Sequence, residues 1–175
     1  MGIKLRKPKF TKSDAAIPIG GVSASVINGL VHEGGHYLAA TALGYNPSFG
    51  YDRENVFGLR TYISRMPEST LDDKIIVLGA PAAELTSAFA LSVLSGGIKN
   101  PFLRYSAKMT STFLGMAPFI ETLLSYFLRA GNDYQKLAQS GIGYEITIPA
   151  TFAMGLMNAY VAWKDNLSSS RRHTP

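Results

Sequence analysis

Residues 17–44 read IPIGGVSASVINGLVHEGGHYLAATALG, an apolar run in which Glu33 is the only residue certain to carry charge. A membrane-spanning helix needs roughly 17–25 mostly apolar residues, so this run is long enough to cross a bilayer. It does not fit a cleaved signal peptide. The apolar core of such a peptide is only about 7–15 residues long, and this longer run carries His32, Glu33 and His36.

Three further stretches repeat the pattern: residues 75–97, 109–128 and 146–163. The second holds one charged residue, Glu84, the third holds Glu121, and the fourth holds none. All four are rich in Gly, Ala, Ser and Thr, which lets helix backbones approach closely in lipid. Pro18, Pro81, Pro118 and Pro149 fall inside them, where a lipid-embedded helix tolerates proline better than an exposed one. The mean hydropathy of +0.08 conceals all this, because polar ends and a polar loop offset the apolar runs.

Charge supports the same reading. If the N-terminus is cytoplasmic and all four stretches cross, the cytoplasmic parts are residues 1–16, 98–108 and 164–175. They hold eleven cations against Asp14 and Asp165, whereas the opposite side holds six cations and seven anions. Basic residues concentrate on the cytoplasmic side of membrane proteins, so the distribution predicts four crossings with both termini cytoplasmic. The net charge of +5 is accounted for by the membrane surface. No basic groove studded with aromatic residues points to nucleic acid. The length suits one domain over residues 1–175, and the absence of cysteine excludes disulfides and thiol chemistry.

The loop between the first two runs contains residues 55–66, NVFGLRTYISRM. This stretch is rich in β-branched and aromatic side chains and predicts one strand or a short hairpin. The expected fold is therefore an all-α membrane protein of about four transmembrane helices, with a short β element between the first and second.

Chemistry concentrates in the first run. On a helix, His32 and His36 point to one face, and two imidazoles at that spacing can grip one Zn²⁺. Glu33 is placed to act on water at the metal rather than to bind it. Chance would produce such a pattern on the order of 0.003 times in a chain of this composition. Two histidines and a carboxylate inside an apolar span are costly, and in a membrane they mark function. The structural alternative is that the histidines only hydrogen-bond to neighbouring helices. Gly34 and Gly35 each cost about 1 kcal/mol against alanine in a helix. They suit either close approach of substrate to the metal or ordinary helix packing.

Catalytic zinc commonly takes three protein ligands plus water. The remaining histidine, His173, lies in the polar tail, so a carboxylate is expected as the third ligand. Glu84, Glu121 and Asp133 are all candidates by depth or reach, and spacing leaves the choice open. Glu84 and Glu121 can equally serve as interhelical hydrogen-bonders, and Asp133 as a helix cap.

These residues resemble the site-2-protease family of intramembrane zinc metalloproteases. The stretch 31–40, VHEGGHYLAA, with Leu43-Gly44 after it, is similar to that family's His-Glu-x-x-His helix. Gly79-Ala80-Pro81 looks like the Gly-Pro opening of its next core helix. Gly115-Met116-Ala117-Pro118, followed by Gly131-Asn132-Asp133, is similar to the later element that supplies an aspartate ligand. The usual Asn-x-x-Pro and Leu-Asp-Gly patterns are absent, and Tyr134 stands where a glycine is expected. The resemblance implies zinc held by His32, His36 and Asp133, with Glu33 as the catalytic acid–base. It also implies that residues 55–66 pair with an extended substrate by strand addition.

The expected activity is hydrolysis of a peptide bond in or near a membrane segment. The expected partners are a membrane protein or peptide substrate, the lipid bilayer, and an accessory membrane protein if substrate choice lies outside the chain. The rival expectation is a catalytically inactive membrane protein of the same fold that binds a partner.

Overall fold

In the computed structural model of the chain, residues 12–53, 59–128 and 133–170 are described. Outside them fall the basic residues 4–9, residues 55–58 of the expected β stretch, residues 131–132, and His173 with the C-terminal cations. The described residues form α1 (Lys12–Ala42), β1 (Pro47–Tyr51), β2 (Leu59–Ile63), α2 (Thr70–Ser95), α3 (Pro101–Leu128), α4 (Asp133–Gln139) and α5 (Tyr144–Ser170). Four of these helices are long and apolar enough to cross a membrane: α1, α2, α3 and α5. The small sheet falls where a β element was expected, between the first two.

Local chemistry sets the helix bounds, and these differ from the expected spans. α1 stops at Ala42 rather than at residue 44, because Gly44 takes φ +81 and turns the chain out. The Tyr45 N–H then closes the end on the Ala40 carbonyl (3.0 Å), the usual use of a left-handed glycine after a helix. α2 starts five residues earlier than the apolar run. Ser69 Oγ accepts from the Asp72 N–H (3.0 Å), and Asp72 and Asp73 occupy the first turn, where a cap and negative charge both favour a helix start. α3 starts eight residues early, at Pro101. Asn100 Oδ1 accepts from the N–H groups of Phe102 and Leu103. Polar capping turns extend these helices beyond their apolar stretches.

The sheet has two antiparallel strands, with Phe49 opposite Thr61. β2 lies within the expected stretch. β1 was not expected, since Pro47 and Gly50 disguise it. The hairpin leans on α1, where Tyr37 stacks on Phe49 with ring centroids 4.7 Å apart.

The packing inverts the arrangement of a water-soluble bundle. Buried positions include Ser92, Ser111, Thr122, Asn158 and Glu84, while Val22, Leu30, Leu38, Leu94 and Phe127 are exposed. Large apolar side chains facing outward on long helices suit lipid as solvent. Inside, a polar clasp joins three helices. Ser92 Oγ bonds to Ser111 Oγ and donates to Asn158 Oδ1 (2.8 Å), while Asn158 Nδ2 donates to the Ser111 carbonyl (2.8 Å).

α1 and α2 touch backbone to backbone. A Cβ at Gly35 would overlap the Gly79 carbonyl oxygen and Ala80 Cα, and one at Gly79 would overlap the Gly35 carbonyl oxygen. Gly34 faces open space, with nothing within 4 Å. The two glycines thus divide the roles that the sequence left joined: Gly35 packs and Gly34 leaves room. Gly35→Ala is expected to cost about 1–3 kcal/mol through overpacking, read as a lower melting temperature in detergent. Gly34→Ala should leave that temperature unchanged or higher.

Candidate functional site

The Gly35–Gly79 crossing presses the motif turn of α1 against α2, and both histidines use α2 as their anchor. His36 Nδ1–H donates to the Ile76 carbonyl (2.8 Å), and His32 Nδ1–H donates to Glu84 Oε1 (2.9 Å). A carbonyl and an ionised carboxylate can only accept, so each imidazole keeps its proton on Nδ1. This leaves both Nε2 lone pairs free, which is the tautomer a metal-binding histidine needs.

The two Nε2 atoms converge on a single oxygen. Asp133 Oδ2 lies 3.0 Å from His32 Nε2 and 2.8 Å from His36 Nε2. With the histidine protons on Nδ1, three electron-rich atoms face one another, and a positive charge between them, a bound cation or a proton on Nε2, relieves the repulsion. Around a tetrahedral ion with ligand distances of about 2.0–2.1 Å, neighbouring ligand atoms stand roughly 3.3 Å apart. Each Nε2–Oδ2 distance needs to lengthen by only a few tenths of an ångström to meet that spacing. Two imidazole nitrogens and one carboxylate oxygen are also a donor set that zinc accepts in catalytic sites.

Asp133 reaches the histidines because α4 delivers it. The sequence reading met this helix only in the alternative that Asp133 serves as a helix cap. Tyr134 and Leu137 of α4 bury against Val77 of α2, while Asp133, in the first turn, also pairs with Lys136 Nζ (3.5 Å). Gly141, at φ +95, ends the segment, and the Ile142 N–H returns to the Leu137 carbonyl (2.9 Å). An aspartate start, a lysine in the last turn and a glycine stop are the signals that could have revealed α4. Burial alone would raise the Asp133 carboxyl. Protons on the two Nε2 atoms, donated to Oδ2, would outweigh burial and hold it well below the usual carboxylate range, and a bound cation would act in the same direction.

Glu84 and Glu121 occupy the other side of His32. With His32 they form a separate group whose ligand atoms all lie within 4.8 Å of one another. His36 belongs only to the group with Asp133. The geometry thus gives Glu84 the place of a carboxylate that orients a ligand histidine, and it leaves Glu121 bonded to Asn28 Nδ2 (3.2 Å).

Comparison with protein-family models, with curated proteins and with solved structures gives no match to this chain.

Glu33 is buried on the adjoining face of α1, and β2 holds it at two points. Its Oε2 accepts from the Thr61 N–H (2.6 Å), and Thr61 Oγ1 donates to the Glu33 main-chain carbonyl (2.7 Å). Thr61 therefore turns its amide away from β1 and towards α1. Neither Thr61 nor Asn28 was singled out by sequence reading. The signal for Thr61 was only its place in a β-branched stretch, and for Asn28 its place one turn before His32. Together the site can hold a divalent metal between α1 and α4, with a carboxylate beside it oriented by a strand.

Proposed function

We propose that this chain is a multi-pass intramembrane zinc metalloendopeptidase of the site-2-protease type, a hydrolase that cuts a peptide bond in or near a membrane segment. The observation that carries this reading is the convergence of both histidine Nε2 atoms on Asp133 Oδ2 while both Nδ1 atoms are tied to acceptors. The apolar outer faces of α1, α2, α3 and α5 support a membrane location. The excess of cations in residues 1–16, 98–108 and 164–175 supports cytoplasmic termini.

His32, His36 and Asp133 would hold the metal. Zinc bound there supplies Lewis acidity towards water and the scissile carbonyl. Glu33 takes the proton from the attacking water on its carboxylate and passes it to the leaving nitrogen. Glu84 and the Ile76 carbonyl fix the imidazole rings so that their Nε2 atoms stay aimed inward. The two-stranded sheet beside the site is where an extended substrate segment adds as a further strand.

The test is the zinc content of detergent-purified protein, wild type beside His36→Ala. About one zinc per chain in the wild type and a large loss in the variant is the expected result. No zinc in the wild type after zinc is supplied would overturn the reading.

A further inference from the structure

The side of α1 that carries Glu33 continues past it in both directions. Val26, Gly29, Leu30, Glu33 and Tyr37 fall within about a third of the helix circumference, because residues three and four apart stack on one face. β2 runs along the same side. Leu59, Thr61 and Ile63 are half-buried while Arg60 and Tyr62 are exposed, so the first three turn towards the helices. Ile63 packs beside Ala40 and Ile76, and Thr61 meets Glu33. Leu59, the next residue on that face of the strand, arrives beside Val26 and Leu30. One turn after Glu33, Tyr37 stacks on Phe49 and occupies the space between helix and hairpin. One turn before Glu33 the same space is a cavity of about 230 Å³, lined by Val26, Gly29, Leu30 and Leu59. None of these four has a polar side chain, and Val26 and Leu30 are exposed.

We infer that Val26, Gly29, Leu30 and Leu59 form the pocket that selects the substrate, taking one bulky apolar side chain about two residues from the scissile bond. This rests on the peptidase reading above. Size supports it: an apolar cavity of about 150 Å³ admits a benzene ring, so this one has room for a single branched aliphatic or aromatic side chain. Position supports it as well. The cavity lies one helical turn, about 5.4 Å, from Glu33. Side chains on one face of an extended peptide recur at about 6.6 Å, every second residue. A peptide stretched along the hairpin with its scissile bond beside Glu33 therefore brings a side chain to the cavity. A lipid chain would lie across Val26 and Leu30 as it does across Val22 and Leu38. The recess beneath Leu59 is different, because the strand that roofs it is the one that holds Glu33. Specificity then follows from burial: an apolar side chain gains by leaving an unfilled recess filled, and a charged one loses its hydration there.

The probe is a set of synthetic single-span peptides that differ only in carrying Ala, Leu, Phe or Asp at successive positions across their middle. They are offered to the zinc-loaded full-length protein in detergent, and the cut is mapped by mass spectrometry. At one position near the cut, Leu and Phe should exceed Ala by at least about tenfold in kcat/KM, and Asp should be refused. Gly29→Leu, which fills the cavity, should turn that preference towards Ala. Leu59→Ala, which enlarges it, should favour Phe over Leu, and it serves alone should Gly29→Leu fail to fold. A change in the order of preference is not produced by lost stability, which slows every peptide alike. Equal rates for Ala, Leu and Phe in the wild type, or folded variants that keep the wild-type order, would overturn this inference and leave the protease reading standing. A second readout needs no cleavage. A peptide with a photoreactive benzophenone at the selected position, or at each middle position in turn where nothing is cut, should crosslink to residues 26–30 or 59 of the Glu33→Gln protein. Crosslinking there when the zinc-supplied wild type cuts none of the peptides would support the pocket as a peptide site and overturn the protease reading alone. Crosslinking only elsewhere would overturn the pocket.

Discussion

Asp133→Ala is expected to strip the zinc and the activity together. The side chain supplies the one carboxylate oxygen that faces both free histidine nitrogens, at 2.8 and 3.0 Å. Losing a group that merely orients a zinc ligand costs about 10–100-fold in affinity, and losing a direct ligand should exceed the top of that range. Neither neighbouring carboxylate can replace it. Glu84 is committed to the Nδ1 side of His32, and Glu121 shares that side. The measurement is zinc per chain by elemental analysis after dialysis against a weak chelator, with Glu84→Gln as comparison. Glu84→Gln keeps its amide oxygen as an acceptor for His32 Nδ1–H and should retain most of its zinc. If Asp133→Ala kept its zinc while Glu84→Gln lost it, the second group of residues would hold the metal instead.

Glu33→Gln carries the other large effect. Glutamine has the shape of glutamate and can accept from the Thr61 N–H through its amide oxygen, so the hairpin contact should survive. It cannot take a proton from water. General acid–base groups typically contribute about 10²–10⁴-fold in rate, and hydrolysis of a membrane-segment substrate should fall by that much with zinc unchanged. An unchanged rate would show that Glu33 moves no proton. Loss of zinc along with activity would place its role in holding the centre together. A protein whose partner binding is intact and whose zinc is unchanged, with no hydrolysis in the wild type either, would be the inactive scaffold of the same fold.

The long elements were legible in the sequence because length and apolarity are local properties. Their ends were less so, since Ser69, Asn100 and Gly44 act through capping geometry beyond the apolar runs. The pair His32–His36 was legible because helix periodicity alone brings the two side chains together. The choice among Glu84, Glu121 and Asp133 was not, because it depends on which side of the His32 ring each carboxylate meets. The side each carboxylate meets follows from α1 crossing α2 at Gly35 and Gly79 and from α4 packing through Tyr134 and Leu137. The Glu33–Thr61 contact spans residues far apart in sequence, and no periodicity encodes it. β1 was hidden because proline and glycine are poor strand formers whose places are set by a partner strand.

The backbone contact at Gly35 and Gly79 also bears on how a substrate could enter. Two helices that meet at their main chains have no side-chain layer to slide over, so α1 and α2 form one stiff wall of the site. A substrate would then enter along the other flank of the motif turn, where Gly34 is open and where the hairpin meets α1 at Glu33 and Tyr37. That flank is covered by the smaller element, whose Ile63 packs against Ala40 and Ile76 beside the anchor of His36.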